Sequence, residues 1–177
     1  FRGEALASIA SISRLTIISK TADEQTGIKM LSEAGEIFQK EEVSAKTGTT
    51  IIVEDLFFNT PVRYKFVKQD STELRYIKDF IQKAALANPS VSFKFINEGK
   101  TILHTNGSGN LTDVVYLIYG KEIKENIINV NYEEGNIKIT GVIGNTIIAK
   151  DTRKDQIVFL NKRNIKNQVI INSADQA

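Results

Sequence analysis

Apolar and polar residues alternate with a period of two along much of this chain, and the alternation gives way in a few places to apolar residues recurring every three or four positions. Leu15, Ile17 and Ile18 set among Thr and Ser predict a strand over 14–20, and the polar run 21–25 reads as a turn. Ile28 and Met30, then Ile37 to Lys40, continue an antiparallel pattern across Ala34-Gly35-Glu36. After Lys46-Thr47-Gly48, the β-branched run from Thr49 to Val53 predicts a central, well-buried strand. The clearest helix covers 70–87: Leu74, Ile77, Phe80, Ile81, Ala84 and Ala85 share one face, which is expected to be core. Asp70 and Glu73 have the spacing of a capping box, and Pro89 ends the pattern. Val91, Phe93 and Phe95 then alternate into a turn at 97–100, and 101–105 answers as the partner strand. Further on, a short helix over 111–119 ended by Gly120, strands over 127–132 and 136–143, a strand over 157–160 and a helix from Gln168 are predicted.

These elements make an α+β fold. The stretch Asn106-Gly107-Ser108-Gly109-Asn110 is the most flexible-looking part and is expected to separate two domains, 1–107 and 108–177. It lacks the Gly-Lys-Ser/Thr ending of a P-loop.

Composition narrows the chemistry. With 177 residues, 41% hydrophobic and 25% charged, the chain is ordinary for a globular protein and has no run of about 18 apolar residues that would span a bilayer. No charged-then-apolar leader opens it, so the expected location is intracellular, cytoplasmic or nucleoid-associated, with no membrane partner. Zero cysteines exclude disulfides and thiolate metal sites, and a single histidine, His104, excludes the usual His-rich ligand sets, which leaves open a metal held by carboxylates and phosphates; the carboxylates lie scattered on strands and turns, so no metal-ligating or catalytic residue is nominated. A net charge of +2 is too small to attract nucleic acid in bulk, which leaves the work to local basic patches.

Four stretches carry candidate chemistry. Phe1-Arg2-Gly3-Glu4-Ala5-Leu6 is a glycine loop feeding strong helix formers, where free backbone N–H groups and the Arg2 guanidinium suit a phosphate. The same residues also fit a plain loop-to-helix joint. Gly48 and Thr49 open the β-branched run; they fit an ordinary turn and strand start as well as a hydroxyl placed for a ligand. In the loop 55–68, Arg63, Lys65 and Lys68 surround Tyr64 and Phe66, while Phe57 and Phe58 are expected to anchor the loop in the core. A basic turn, Asn161-Lys162-Arg163-Asn164, follows the 157–160 strand.

The run Phe1-Arg2-Gly3-Glu4-Ala5-Leu6-Ala7-Ser8-Ile9 resembles the third ATPase motif of the MutL family, the mismatch-repair members of the GHKL ATPases. Gly48-Thr49-Thr50-Ile51-Ile52-Val53 and Asp55-Leu56-Phe57-Phe58-Asn59-Thr60-Pro61-Val62-Arg63-Tyr64-Lys65-Phe66 match further motifs in the family's order. Val158-Phe159-Leu160-Asn161-Lys162-Arg163-Asn164-Ile165 resembles its later strand and basic turn, with Lys162 where a glycine is usual. The resemblance implies the C-terminal part of a GHKL-type α/β sandwich, followed by a smaller α+β domain like the ribosomal-protein-like second domain of those proteins. It implies nucleotide contacts from Arg2, Gly3, Ala5, Leu6, Gly48 and Thr49, with Thr49 at the adenine end, and DNA contacts from Arg63, Lys65, Lys162 and Arg163. The intact protein would then use ATP and Mg2+ in a homodimeric mismatch-repair clamp, working with DNA, a mismatch-recognition protein and a downstream nuclease or helicase. The chain is expected to be an internal piece without ATP turnover or cofactor of its own. The alternatives are a non-catalytic DNA- or protein-binding module, or another GHKL protein.

Overall fold

The computed structural model describes residues 3–176 of an α+β chain that divides into two compact units, one ending at Gln69 and the other beginning at Asp70. In the first, helix α1 (Ala5–Ala10) leads into strands β1 (Arg14–Lys20), β2 (Gly27–Glu33), β3 (Glu36–Val43) and β4 (Gly48–Glu54), followed by one helical turn, α2 (Pro61–Tyr64). The four strands form an antiparallel sheet in the order β3-β2-β1-β4. Ala34 (φ 52°) and Gly35 (φ 89°) supply the two left-handed residues that a tight β2–β3 hairpin needs. Leu15 on β1 is buried, as are Ser13 before it and Ser32 on β2.

The 49–53 run forms a strand, but neither a central nor a buried one. β4 is an edge strand and all seven of its residues are exposed, Ile51 by 48%, Ile52 by 42% and Val53 by 42%. A β-branched run specifies extended backbone; burial depends on what covers the two faces, which the run itself does not encode.

The second unit opens with helix α3 (Asp70–Ala87) and continues through the β5–β6 hairpin (Lys94–Asn97, Lys100–His104) and helices α4 (Leu111–Tyr119) and α5 (Lys121–Glu125). The β7–β8 hairpin (Ile127–Glu134, Ile137–Gly144), two short 3-10 turns, the β9–β10 hairpin (Val158–Leu160, Arg163–Ile165) and helix α6 (Gln168–Gln176) complete it. Its core joins α3, β6 and α4 through Ala85, Leu103 and Val114, with Ile81, Leu86, Phe93, Phe95 and Ile118 packed around them. Asp70 is the first helical residue of α3, and its carboxylate and that of Glu73 in the first turn complement the helix dipole. Only the later part of the expected apolar face is core: Ile77 and Phe80 are 47% and 73% exposed, because β6 and α4 pack against the C-terminal half of the helix.

The stretch 106–110 lies inside this unit and is built as a hydrogen-bonded loop. Ser108 N–H donates to Asn106 Oδ1 (3.1 Å), Gly109 N–H to the Pro89 carbonyl (3.1 Å), and Thr112 N–H to Asn110 Oδ1 (2.9 Å), which caps α4. Short polar side chains that suggest flexibility are the ones able to close such turns. Beside the loop, the fully buried Thr105 is satisfied: its hydroxyl accepts from Phe93 N–H (2.8 Å), and its carbonyl accepts from the Ser92 hydroxyl (2.6 Å).

Candidate functional site

Antiparallel pairing of β1 with β4 places Lys20 opposite Gly48 and Ser19 opposite Thr49. At this end of the sheet, Ile18 and residues 44–50 line an open depression of about 380 Å³. Gly48 takes φ 124°, a conformation that side-chain-bearing residues rarely adopt, and Thr49 follows it with its hydroxyl 2.9 Å from that of Ser19. A hydroxyl pair of this kind fixes one hydrogen-bonding direction of Thr49 and leaves the rest of its capacity for a ligand. Ser19 was not singled out from the sequence. Its part depends on strand register, which no local pattern displays.

The opening segment stands at the other end of β1. Gly3, Ala5 and Leu6 are exposed, and Arg2 lies outside the described residues. Glu4 occupies the N-cap position of α1 without a side-chain capping bond. Among the described residues, no hydrogen bond or ion pair joins this segment to Gly48 or Thr49, so the two halves of the expected nucleotide site are present but not brought together by direct contact.

Between them, the loop after β4 is pinned to the junction of α1 and β1. Phe57 N–H donates to the Ile12 carbonyl (2.7 Å) and Asn59 Nδ2 to the Ser11 carbonyl (2.9 Å). Arg14 Nη1 meets Asp55 Oδ2 at 2.5 Å, its Nε lies 3.5 Å from Glu33 Oε2, and the guanidinium stands 5.2 Å from the centroid of the Phe58 ring. The two carboxylates, Glu33 first and then Asp55, hold the Arg14 pKa above its ordinary value. Phe58 is 39% exposed and packs beneath Arg14, so it is not the core anchor expected of it. The negative face of an aromatic ring accepts a cation as well as an apolar neighbour. Beyond this pinned part, Arg63 and Lys65 are exposed, interleaved with the exposed Tyr64 and Phe66.

In the second unit, Asn161 (φ 48°) and Lys162 (φ 64°) are both left-handed and make the two-residue turn between β9 and β10, where Leu160 pairs with Arg163. Asn164 Nδ2 ties the turn back to the Val158 carbonyl (3.1 Å), and Lys162 and Arg163 remain exposed. None of Arg63, Lys65, Lys162 and Arg163 forms an ion pair among the described residues. Among the described residues, no carboxylate neutralises their charge. No group of three or more His, Cys, Asp or Glu side chains suited to a metal gathers among the described residues, and no helix is long and apolar enough to cross a membrane.

Comparison with known proteins bears on what this arrangement belongs to. Residues 115–177 match the family described as DNA mismatch repair protein, C-terminal domain. The chain is 42% identical over its whole length to the DNA mismatch repair protein MutL of Agathobacter rectalis and 46% identical to that of Clostridium tetani. It spans only 27% and 28% of those proteins' lengths. The Aquifex aeolicus MutL ATPase domain, solved in complex with ADP, superposes with a TM-score of 0.80 at 32% identity, covering 98% of this chain and 67% of that one. The sequence motifs, the α+β architecture and these likenesses, which run along the whole of this chain, agree: the chain belongs to the MutL family of DNA mismatch repair proteins, as a portion of its N-terminal ATPase region.

Proposed function

We propose that this chain forms part of the nucleotide pocket and of the DNA-contacting surface of an ATP-driven mismatch-repair clamp. The likeness of 98% of the chain to an ATPase domain that was solved with ADP carries this reading. On it, Arg2, Gly3, Ala5 and Leu6 serve the phosphate side and Gly48 and Thr49 the adenine side, where the open depression and the Ser19-paired hydroxyl support a ligand contact. Because the chain covers 67% of that domain, the residues needed to complete the pocket and hold Mg2+ would come from the remainder. The chain by itself is expected to show no steady-state ATP hydrolysis, and measurable turnover would remove that part of the proposal.

DNA contact is assigned to Arg63, Lys65, Lys162 and Arg163, whose exposed charges, unpaired among the described residues, suit phosphate oxygens and carry no base readout. A clamp that acts wherever an error lies needs none. In the intact protein, ATP binding would bring two copies together and engage a mismatch-recognition protein and a downstream nuclease or helicase on DNA inside the cell. The family match beginning at residue 115 favours a division into a GHKL-type domain, 1–107, and a smaller α+β domain, 108–177, whereas the compact units of the chain divide after Gln69 and one core joins α3 and β6 to α4.

In the full-length protein, Thr49→Ala should weaken nucleotide binding by about threefold to tenfold, the range for one lost hydrogen bond. Calorimetric titration with a non-hydrolysable ATP analogue measures it. Wild-type affinity in that variant would take Thr49 out of the pocket. A second reading, a DNA-binding module without nucleotide chemistry, is favoured by the four unpaired cations alone, and it predicts no nucleotide binding in the full-length protein.

A further inference from the structure

We propose that Asn59 is a positioning residue that latches the basic loop to helix α1, so that movement of the nucleotide-side segment changes how Arg63 and Lys65 are presented to DNA. The inference rests on the functional reading above and adds a route between its two surfaces. Helix ends leave carbonyls without intrahelical partners. Here the acceptors just past α1, the Ser11 and Ile12 carbonyls, are taken by Asn59 Nδ2 and Phe57 N–H, from a loop more than forty residues further along the chain. Arg14 closes the same junction by holding Asp55 at the loop's start and covering Phe58.

The connection is continuous on both sides of the latch. Within and after α1, Ser8 N–H donates to the Glu4 carbonyl, Ser11 N–H to Ala7 and Ile12 N–H to Ile9. Within the loop, Thr60 N–H donates to the Phe57 carbonyl, Arg63 N–H to Thr60, Lys65 N–H to Pro61 and Phe66 N–H to Arg63. Asp55 (φ 50°) and Phe57 (φ 71°) hold left-handed backbone, which Asp tolerates and Phe rarely adopts, so at Phe57 the loop keeps this form because its contacts impose it. A block tied in this way has two options when α1 shifts: the loop moves with it, or the latch opens and Phe57 relaxes. Either changes the backbone that carries Arg63 and Lys65.

The test uses the full-length protein, a duplex DNA of arbitrary sequence and a non-hydrolysable ATP analogue. Wild-type protein should change its DNA affinity when nucleotide is added, whereas Asn59→Ala should bind nucleotide within twofold of wild type yet show a nucleotide effect on DNA affinity of less than twofold. A purely structural contact would not separate the two readouts. An Asn59→Ala protein with the wild-type nucleotide effect would overturn the proposal. Hydrogen exchange of the wild-type protein covers the case in which the variant does not fold: nucleotide should change protection at the Phe57 amide and at 63–66 together with 5–12. Nucleotide binding with changes confined to 5–12 brings down the latch alone, and no nucleotide binding at all brings down the functional reading and the latch together.

Discussion

Lys162 is the residue at which backbone preference and charge pull in opposite directions. Its φ of 64° is a conformation that costs a side-chain-bearing residue about 1 kcal/mol relative to glycine. Lys162→Gly should therefore raise the urea midpoint by an amount worth roughly 1 kcal/mol while lowering DNA affinity at low salt; a variant that is no more stable than wild type would show that the turn is not strained. Tyr119 offers a pH test. Burial first, then the charges of Asp155 and Asp79, raise its pKa, so the folded chain keeps the phenol neutral where the unfolded chain ionises it. The stability it contributes is fully present below the ordinary tyrosine pKa of about 10 and is lost as pH rises through the folded value. Denaturant midpoints should fall more steeply from pH 9 to 11 in wild type than in Tyr119→Phe, and parallel curves would refute the assignment. At this scale the sequence displays a turn glycine such as Gly48, which takes φ 124° before Thr49. It is silent on contacts with distant partners, such as Ser19 opposite Thr49 or Asn59 on Ser11.

Among the elements, the loop before α4 shows how local chemistry can be read and its consequence missed. Gly107 has φ 70°, and a Cβ there would lie 2.9 Å from the Ser92 backbone nitrogen, with the Ser90 carbonyl at 3.2 Å. Neither neighbour is a side-chain tip that can swing aside. Gly107→Ala should destabilise the chain by more than about 1 kcal/mol through strain and displaced backbone, measured as a lower denaturant midpoint. An unchanged midpoint would mean the loop is as loose as its composition suggests. The periodicities of β1, β2, α3 and α4 gave their positions because each has an apolar pattern of the right period. Burial was less legible: the β4 run and the first half of α3 carry core-like residues on exposed surfaces. Pattern reports which residues share a face, and the covering element supplies the burial. α5 and the two 3-10 turns are too short to impose any period and left no signal.

For the molecule as a whole, the question is whether DNA attraction comes from bulk charge or from four placed cations. The formal net charge is +2, from 23 basic and 21 acidic residues, so uniform attraction to a polyanion is weak. Arg63, Lys65, Lys162 and Arg163 lie outside every ion pair described, whereas Arg14, Lys29, Lys83 and Lys150 are held by carboxylates. Counterion release distinguishes the two accounts, since each phosphate neutralised contributes about 0.9 to the slope of log affinity against log salt. Changing all four to Gln in the full-length protein should lower that slope by about 3 to 4, equally on any duplex sequence. A control with Lys40, Lys94, Lys100 and Lys154 changed to Gln removes the same charge from other exposed positions and should leave the slope within about one of wild type. Equal losses in the two variants would assign DNA binding to net charge and remove the four residues from the interface. A flat response of the first variant alone would locate the DNA path on other cations.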